Sequence, residues 1–170
     1  ISSVWGILAY VLLSYGLYKI AQRRGIHHCW MAWVPILNGW ILGCISDHYR
    51  YIARAEITHR RTLLLWERII SFVSAGVMIG ICVAVFFSGL RELFLTGTIS
   101  VTSSLILQLK VLLLVALVHL IVFIAEIVLT YFCYYDLYLS VIPEDAVLLI
   151  VLSILFHAIL TPIFVFIFRN

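Results

Sequence analysis

Three ionisable residues stand inside long apolar runs: His119, Glu126 and His157. His119 and Glu126 are seven positions apart, so on a helix they share one face. If the chain turns back near residue 138, His119 and His157 come to similar depth. An ionisable side chain near the middle of a bilayer is costly and marks a functional site by default. Two imidazoles and a carboxylate there could relay protons or coordinate a divalent cation. The plainer alternative is two neutral histidines donating one hydrogen bond each, with Glu126 at the interface or protonated. His-x6-Glu is not the spacing of a zinc motif such as HExxH. A second set, His27, His28, Asp47, His48 and His59, could gather on one face of the protein and hold a metal, or serve as ordinary polar interface residues.

A different chemistry is offered by Gly76, Gly80, Ala84 and Ser88, each four apart. Small residues at this spacing let two helices approach closely and gain van der Waals contact. The partner helix could belong to this chain or to another, and a bound lipid or ligand is the lesser alternative. Glu67 could pair with Arg60 or Arg61, while Arg68 is expected to reach the headgroups. The cysteines at 29, 44, 82 and 133 show no metal-knuckle spacing. Cys82 and Cys133 read as buried thiols, and Cys29 and Cys44 as surface thiols. No nucleophile elbow, phosphate-binding glycine loop or catalytic carboxylate pair is present.

The elements that must position these residues follow from composition. Hydrophobic residues make up 65% of the 170-residue chain and charged residues 11%, against roughly 45–50% and about 25% in soluble domains. So few charges cannot clothe a water-facing surface, whereas lipid tails accept Leu, Val, Ile and Phe. A membrane location follows, and a nucleic-acid role is excluded for want of any cause beyond the bilayer for the small net charge of +3. A spanning helix needs about 20 mainly apolar residues. Four segments qualify: about 4–21, 69–90, 111–132 and 146–168. The first ends in Lys19, Arg23 and Arg24, the reverse of a signal peptide's charge order, and is read as a retained helix.

A fifth segment, 29–46, is short and carries Trp30, Trp33, Pro35, Asn38 and Trp40. Trp favours the membrane interface, and Pro35 interrupts a helix. The segment is either a kinked span or a re-entrant or interfacial piece. Lys/Arg bias favours the second: eight cations then lie on one side and Arg91, Lys110 and Arg169 on the other. That topology puts both termini outside and residues 22–68 in the cytoplasm. The polar stretch 47–61 reads as a basic surface helix touching anionic headgroups or as a solvated loop. The run 96–104 reads as an external loop, with Ser103 or Ser104 capping the next helix. Ser140, Pro143, Glu144 and Asp145 form a helix-start signal, with Ser140 as cap, that makes the last two helices an antiparallel hairpin.

The stretch from Ala21 to Tyr49 contains W-x-A-W-x-P-x-x-N at 30–38, followed by L-G-x-I-S-D-x-Y at 42–49. It resembles a signature of small polytopic membrane proteins of Gram-positive bacteria. A looser form, W-x-A-x-I-P-x-x-N, occurs in proteins sometimes associated with signal peptidase. The resemblance covers about 30 of the 170 residues and implies a multi-pass membrane protein without implying an activity. Within it, Trp30, Trp33 and Trp40 are expected to anchor the segment, Pro35 to bend it, and Asn38 to satisfy backbone groups freed at the bend.

The reading as a whole is an all-α polytopic transmembrane bundle, one domain over 1–170, with four spans and one short Trp/Pro segment, in a bacterial cytoplasmic membrane. The leading expectation for function is a non-enzymatic membrane subunit that packs with itself or with membrane partners. The alternative is a small transporter or channel-like protein using His119, Glu126 and His157. An intramembrane enzyme ranks last. No cofactor is expected, and the partners are membrane lipids together with a second copy or another membrane protein.

Overall fold

The computed structural model describes residues 2–96 and 103–169. Within them the chain forms six α-helices and a 3-10 helix: α1 (Ser2–Arg23), the 3-10 helix (Cys29–Trp33), α2 (Leu37–Arg54), α3 (Arg60–Thr96), α4 (Ser103–Val141), α5 (Ala146–Leu155) and α6 (His157–Ile167). Three segments are long and apolar enough to cross a membrane: Val4–Arg23, Arg60–Arg91 and Ile106–Val141. The chain divides into two compact units, Ile1–Arg68 with Ile127–Asn170, and Ile69–Glu126.

The first unit holds the buried core. Leu17, Ile20 and Ala21 of α1, Ile41, Leu42 and Ile45 of α2, Leu64 of α3, Leu137 and Tyr138 of α4 and Val165 of α6 are all buried there. Their three- and four-residue spacings give each helix one inward stripe. Two glycines set how closely the helices meet. A Cβ at Gly16 would sit 2.6 Å from the Val165 carbonyl oxygen, and one at Gly43 would sit 2.5 Å from Arg61 Cα. Helix α1 therefore lies against α6, and α2 against the start of α3, at backbone contact.

Helix α1 ends in a Schellman motif. The Ile26 N–H donates to the Ala21 carbonyl and the Gly25 N–H to that of Gln22, with Gly25 at φ +66°, a conformation glycine adopts without penalty. The chain then folds back along α1, so that the Tyr10 hydroxyl donates to the Trp33 carbonyl at 2.5 Å. Pro35 stops the 3-10 helix, and α2 starts beyond it. The segment expected over 29–46 is thus two pieces. Its helical part runs on through Asp47 to Arg54, where Ala55 at φ 54° ends it.

A second fold-back follows α4. Residues 146–168 were expected to form one spanning helix; they instead form α5 and α6, broken at Phe156 (φ −126°, ψ 45°). Helix α6 returns parallel to α4, because His157 stacks edge-on to Tyr131 while Phe164 and Phe168 both meet Tyr138. It is also parallel to α1: Trp5 bonds to Ala158 and Tyr15 meets Phe166. Side chains take one carbonyl released by Pro162 and one released at the break. Pro162 has no N–H for the Ala158 carbonyl four residues earlier, and the Trp5 indole N–H takes it at 3.0 Å. Tyr131 donates to the Ser153 carbonyl at 3.1 Å. The helix-start signal also resolves differently. Ser140 lies in the last turn of α4 and bonds back to Leu137, while Asp145 takes the N-cap position of α5 without a side-chain cap bond.

The second unit is an antiparallel pair made of the later part of α3 and the earlier part of α4. Ser74 Oγ meets His119 Nδ1 at 2.7 Å, and Ser88 Oγ donates to Gln108 Oε1 at 2.9 Å. Residues 97–102 and the side chains of Ser103 and Ser104 lie outside the described residues, and with them the expected external loop and helix cap.

Candidate functional site

The most concentrated polar chemistry in the first unit centres on Asp136, a residue the sequence reading did not single out. It sits near the end of α4 and is 2% exposed. Its Oδ2 accepts from Ser46 Oγ at 2.5 Å, Arg50 Nε at 2.9 Å and Arg60 Nη1 at 2.9 Å. One carboxylate thereby ties α4 to α2 and to the first turn of α3. The hydrogen bond to Asp136 holds the Arg50 pKa above its ordinary value. Arg50 also pairs with the exposed Glu56 at 3.2 Å, and Arg60 lies over the Phe132 ring. Arg60 is therefore turned to Asp136.

One turn along, Asp47 caps α3 from a different element. Its Oδ1 accepts from Thr58 Oγ1 and the Arg60 N–H, and its Oδ2 from the Arg61 N–H. Unpaired N–H groups and a positive dipole at a helix start favour a carboxylate there. Arg24 closes the same face by donating to the Ile45 carbonyl at 3.1 Å and to Ser140 Oγ at 2.5 Å. Burial lowers its pKa.

At the Pro35 bend, Arg68 donates to the Pro35 carbonyl and to Asn38 Oδ1. The freed carbonyl is thus taken by Arg68. Asn38, buried, is a second acceptor for that guanidinium. Trp30 and Trp33 are exposed and Trp40 packs half-buried against the core. Cys44 is buried and Cys29 half-buried, with its thiol donating to Ile26; Cys82 is exposed and Cys133 buried.

The candidate ion-handling residues take separate partners. His119 bonds to Ser74 in the second unit. His157 Nδ1 lies 2.9 Å from the Tyr131 hydroxyl and 3.4 Å from Thr161 Oγ1 in the first. Glu126 is half-buried on α4. His27, His48, His59 and Asp47 do gather, lining a cavity of about 420 Å³ with Cys44 and Arg61. Even so, among the described residues no three His, Cys, Asp or Glu side chains are arranged to hold a metal ion.

The glycine stripe separates from its last member. Ser88 turns toward α4 through Gln108, whereas a Cβ at Gly76 or Gly80 would meet nothing within 4 Å, and Ala84 is exposed. Signals for the residues the reading missed were slight: an Asp among tyrosines at the end of a greasy helix, and arginines already explained by membrane sidedness. Comparison with protein-family models, with curated proteins and with solved structures found no match.

Proposed function

We propose that this protein is a non-enzymatic membrane subunit that assembles with a second copy or another membrane protein through the exposed face of α3. The contrast among its glycines carries the reading. Gly16 and Gly43 are each filled by a neighbouring backbone, while Gly76 and Gly80 stand bare one turn apart. In lipid, where apolar burial gives no drive to associate, close packing across small residues is the main source of helix affinity. Side chains take carbonyls at both bends, Arg68 and Tyr10 at the first and Trp5 and Tyr131 at the second. That arrangement suits a fixed scaffold.

In this reading α1, α3 and α4 cross the bacterial cytoplasmic membrane, and 29–54 and 146–167 are re-entrant hairpins entering from the cytoplasmic side. Returning α6 beside α1 moves Arg169 to that side. Nine of the eleven Lys and Arg are then cytoplasmic, with Arg91 and Lys110 opposite, a stronger bias than four spans would give. The test is cross-linking through A84C in a chain lacking its other cysteines. Gly76→Leu with Gly80→Leu should abolish the cross-link and co-purification of the partner. Assembly that survives both substitutions contradicts the proposal.

The second reading, a small proton or ion transporter or channel-like protein, draws support from the helix break at Phe156, where His157, Tyr131 and Thr161 meet. Broken helices at membrane depth commonly line transport sites. Under it, His119→Phe and His157→Phe abolish proton or ion flux into proteoliposomes; under the first, they leave assembly unchanged.

A further inference from the structure

We infer that the cleft between the ends of α1 and α6 binds the phosphate of an anionic lipid headgroup. The inference rests on membrane embedding and is independent of assembly through α3. Tyr15, Lys19, Gln22, Arg23 and Arg169 line a cleft of about 500 Å³. Three cations face it and no acid does. None of the three is in an ion pair among the described residues, where the pairs formed use Arg50 and Arg60. Two of them, Arg169 and Lys19, have set positions. The Arg169 guanidinium lies 3.7 Å from the Phe166 ring centroid and 5.3 Å from that of Tyr15, and Lys19 donates to Gln22 at 3.3 Å. A stacked guanidinium keeps its edge free for bidentate contact with phosphate oxygens.

The apolar surface beside the cleft selects a lipid over a free anion. Leu8, Val11, Tyr15, Lys19 and Gln22 follow one another at three- and four-residue steps, so they share one face of α1. Leu8 and Val11 are exposed on it. A headgroup seated on the cations therefore has an apolar track for its acyl chain on the same helix. Basic pockets between membrane helices on the cytoplasmic side have the charge and placement that such lipids require.

The test uses the full chain in neutral detergent, with native mass spectrometry reading bound phosphatidylglycerol against phosphatidylcholine. Phosphatidylglycerol should bind preferentially. Lys19→Gln, Arg23→Gln and Arg169→Gln should each weaken it about fivefold, and the triple substitution should remove the preference. Arg169→Lys keeps the charge but loses the planar fork and should fall between wild type and Arg169→Gln. Arg54→Gln, outside the cleft, should change nothing. Equal binding of the two lipids, equal weakening by Arg54→Gln, or displacement of the lipid by excess inorganic phosphate would each overturn the inference. Cross-linking through A84C in the same variants reads the assembly proposal separately.

Discussion

Replacing Asp136 by Ala should destabilise the first unit by about 3 kcal/mol. The carboxylate accepts three hydrogen bonds, two of them from guanidinium groups. Breaking a buried ion pair by removing one partner costs about 3–5 kcal/mol, because the other charge is left uncompensated. The lower end applies here, since the Arg50 and Arg60 side chains are 19% and 18% exposed and water recovers part of the loss. Asp136→Asn keeps an acceptor of the same shape and should cost about half as much. Arg50→Ala should cost only about 1 kcal/mol, because Ser46 and Arg60 still hold the carboxylate. Cys133, buried three residues before Asp136, supplies the assay. In a C29S/C44A/C82S background its thiol reacts with a maleimide only when the unit opens, so denaturant or temperature titration reads stability directly. A loss under about 1 kcal/mol for Asp136→Ala would refute the view that this carboxylate joins α2, α3 and α4.

Three further outcomes follow from the same contacts. Asp47→Ala should cost about 1–2 kcal/mol and should speed hydrogen exchange at the Arg60 and Arg61 amides more than elsewhere. Trp5→Phe should cost about 1 kcal/mol in the native chain but close to nothing beside Pro162→Ala, because the restored N–H at 162 takes the Ala158 carbonyl itself; equal costs in both backgrounds would count against the explanation. Gly43→Ala should cost about 1–3 kcal/mol through overpacking, read by the same thiol assay, whereas Gly76→Ala, in the second unit, should be neutral or slightly stabilising for the monomer by helix propensity, read by loss of helical circular dichroism in denaturant.

Hydropathy located the three long helices α1, α3 and α4 because length and greasiness are local properties. It misjudged 146–168 because the break falls at Phe156, between Leu155 and His157, with neither glycine nor proline at the turn. What reverses the chain there is tertiary: Tyr131 on Ser153 and Trp5 on Ala158. The same holds for Pro35. The sequence announces the bend, but the donor that makes it tolerable is Arg68, 33 residues away. Asp136 and its partners are separated by up to 90 positions, so no spacing rule could pair them. The glycines illustrate the limit most clearly. Gly76-x-x-x-Gly80 looked like the packing motif, yet among the described residues the close backbone contacts fall at Gly16, which belongs to no such motif, and at Gly43, the second glycine of Gly39-x-x-x-Gly43.

The topology is tested most directly by cysteine accessibility in intact bacterial cells, using a chain stripped of native cysteines and a reagent that cannot cross the membrane. Single cysteines at Arg54 and Arg169 should stay unlabelled until the cells are opened, while one at Arg91 should label from outside. Labelling of position 169 together with 91, and apart from 54, would mean that 146–168 crosses the bilayer and that α6 does not turn back.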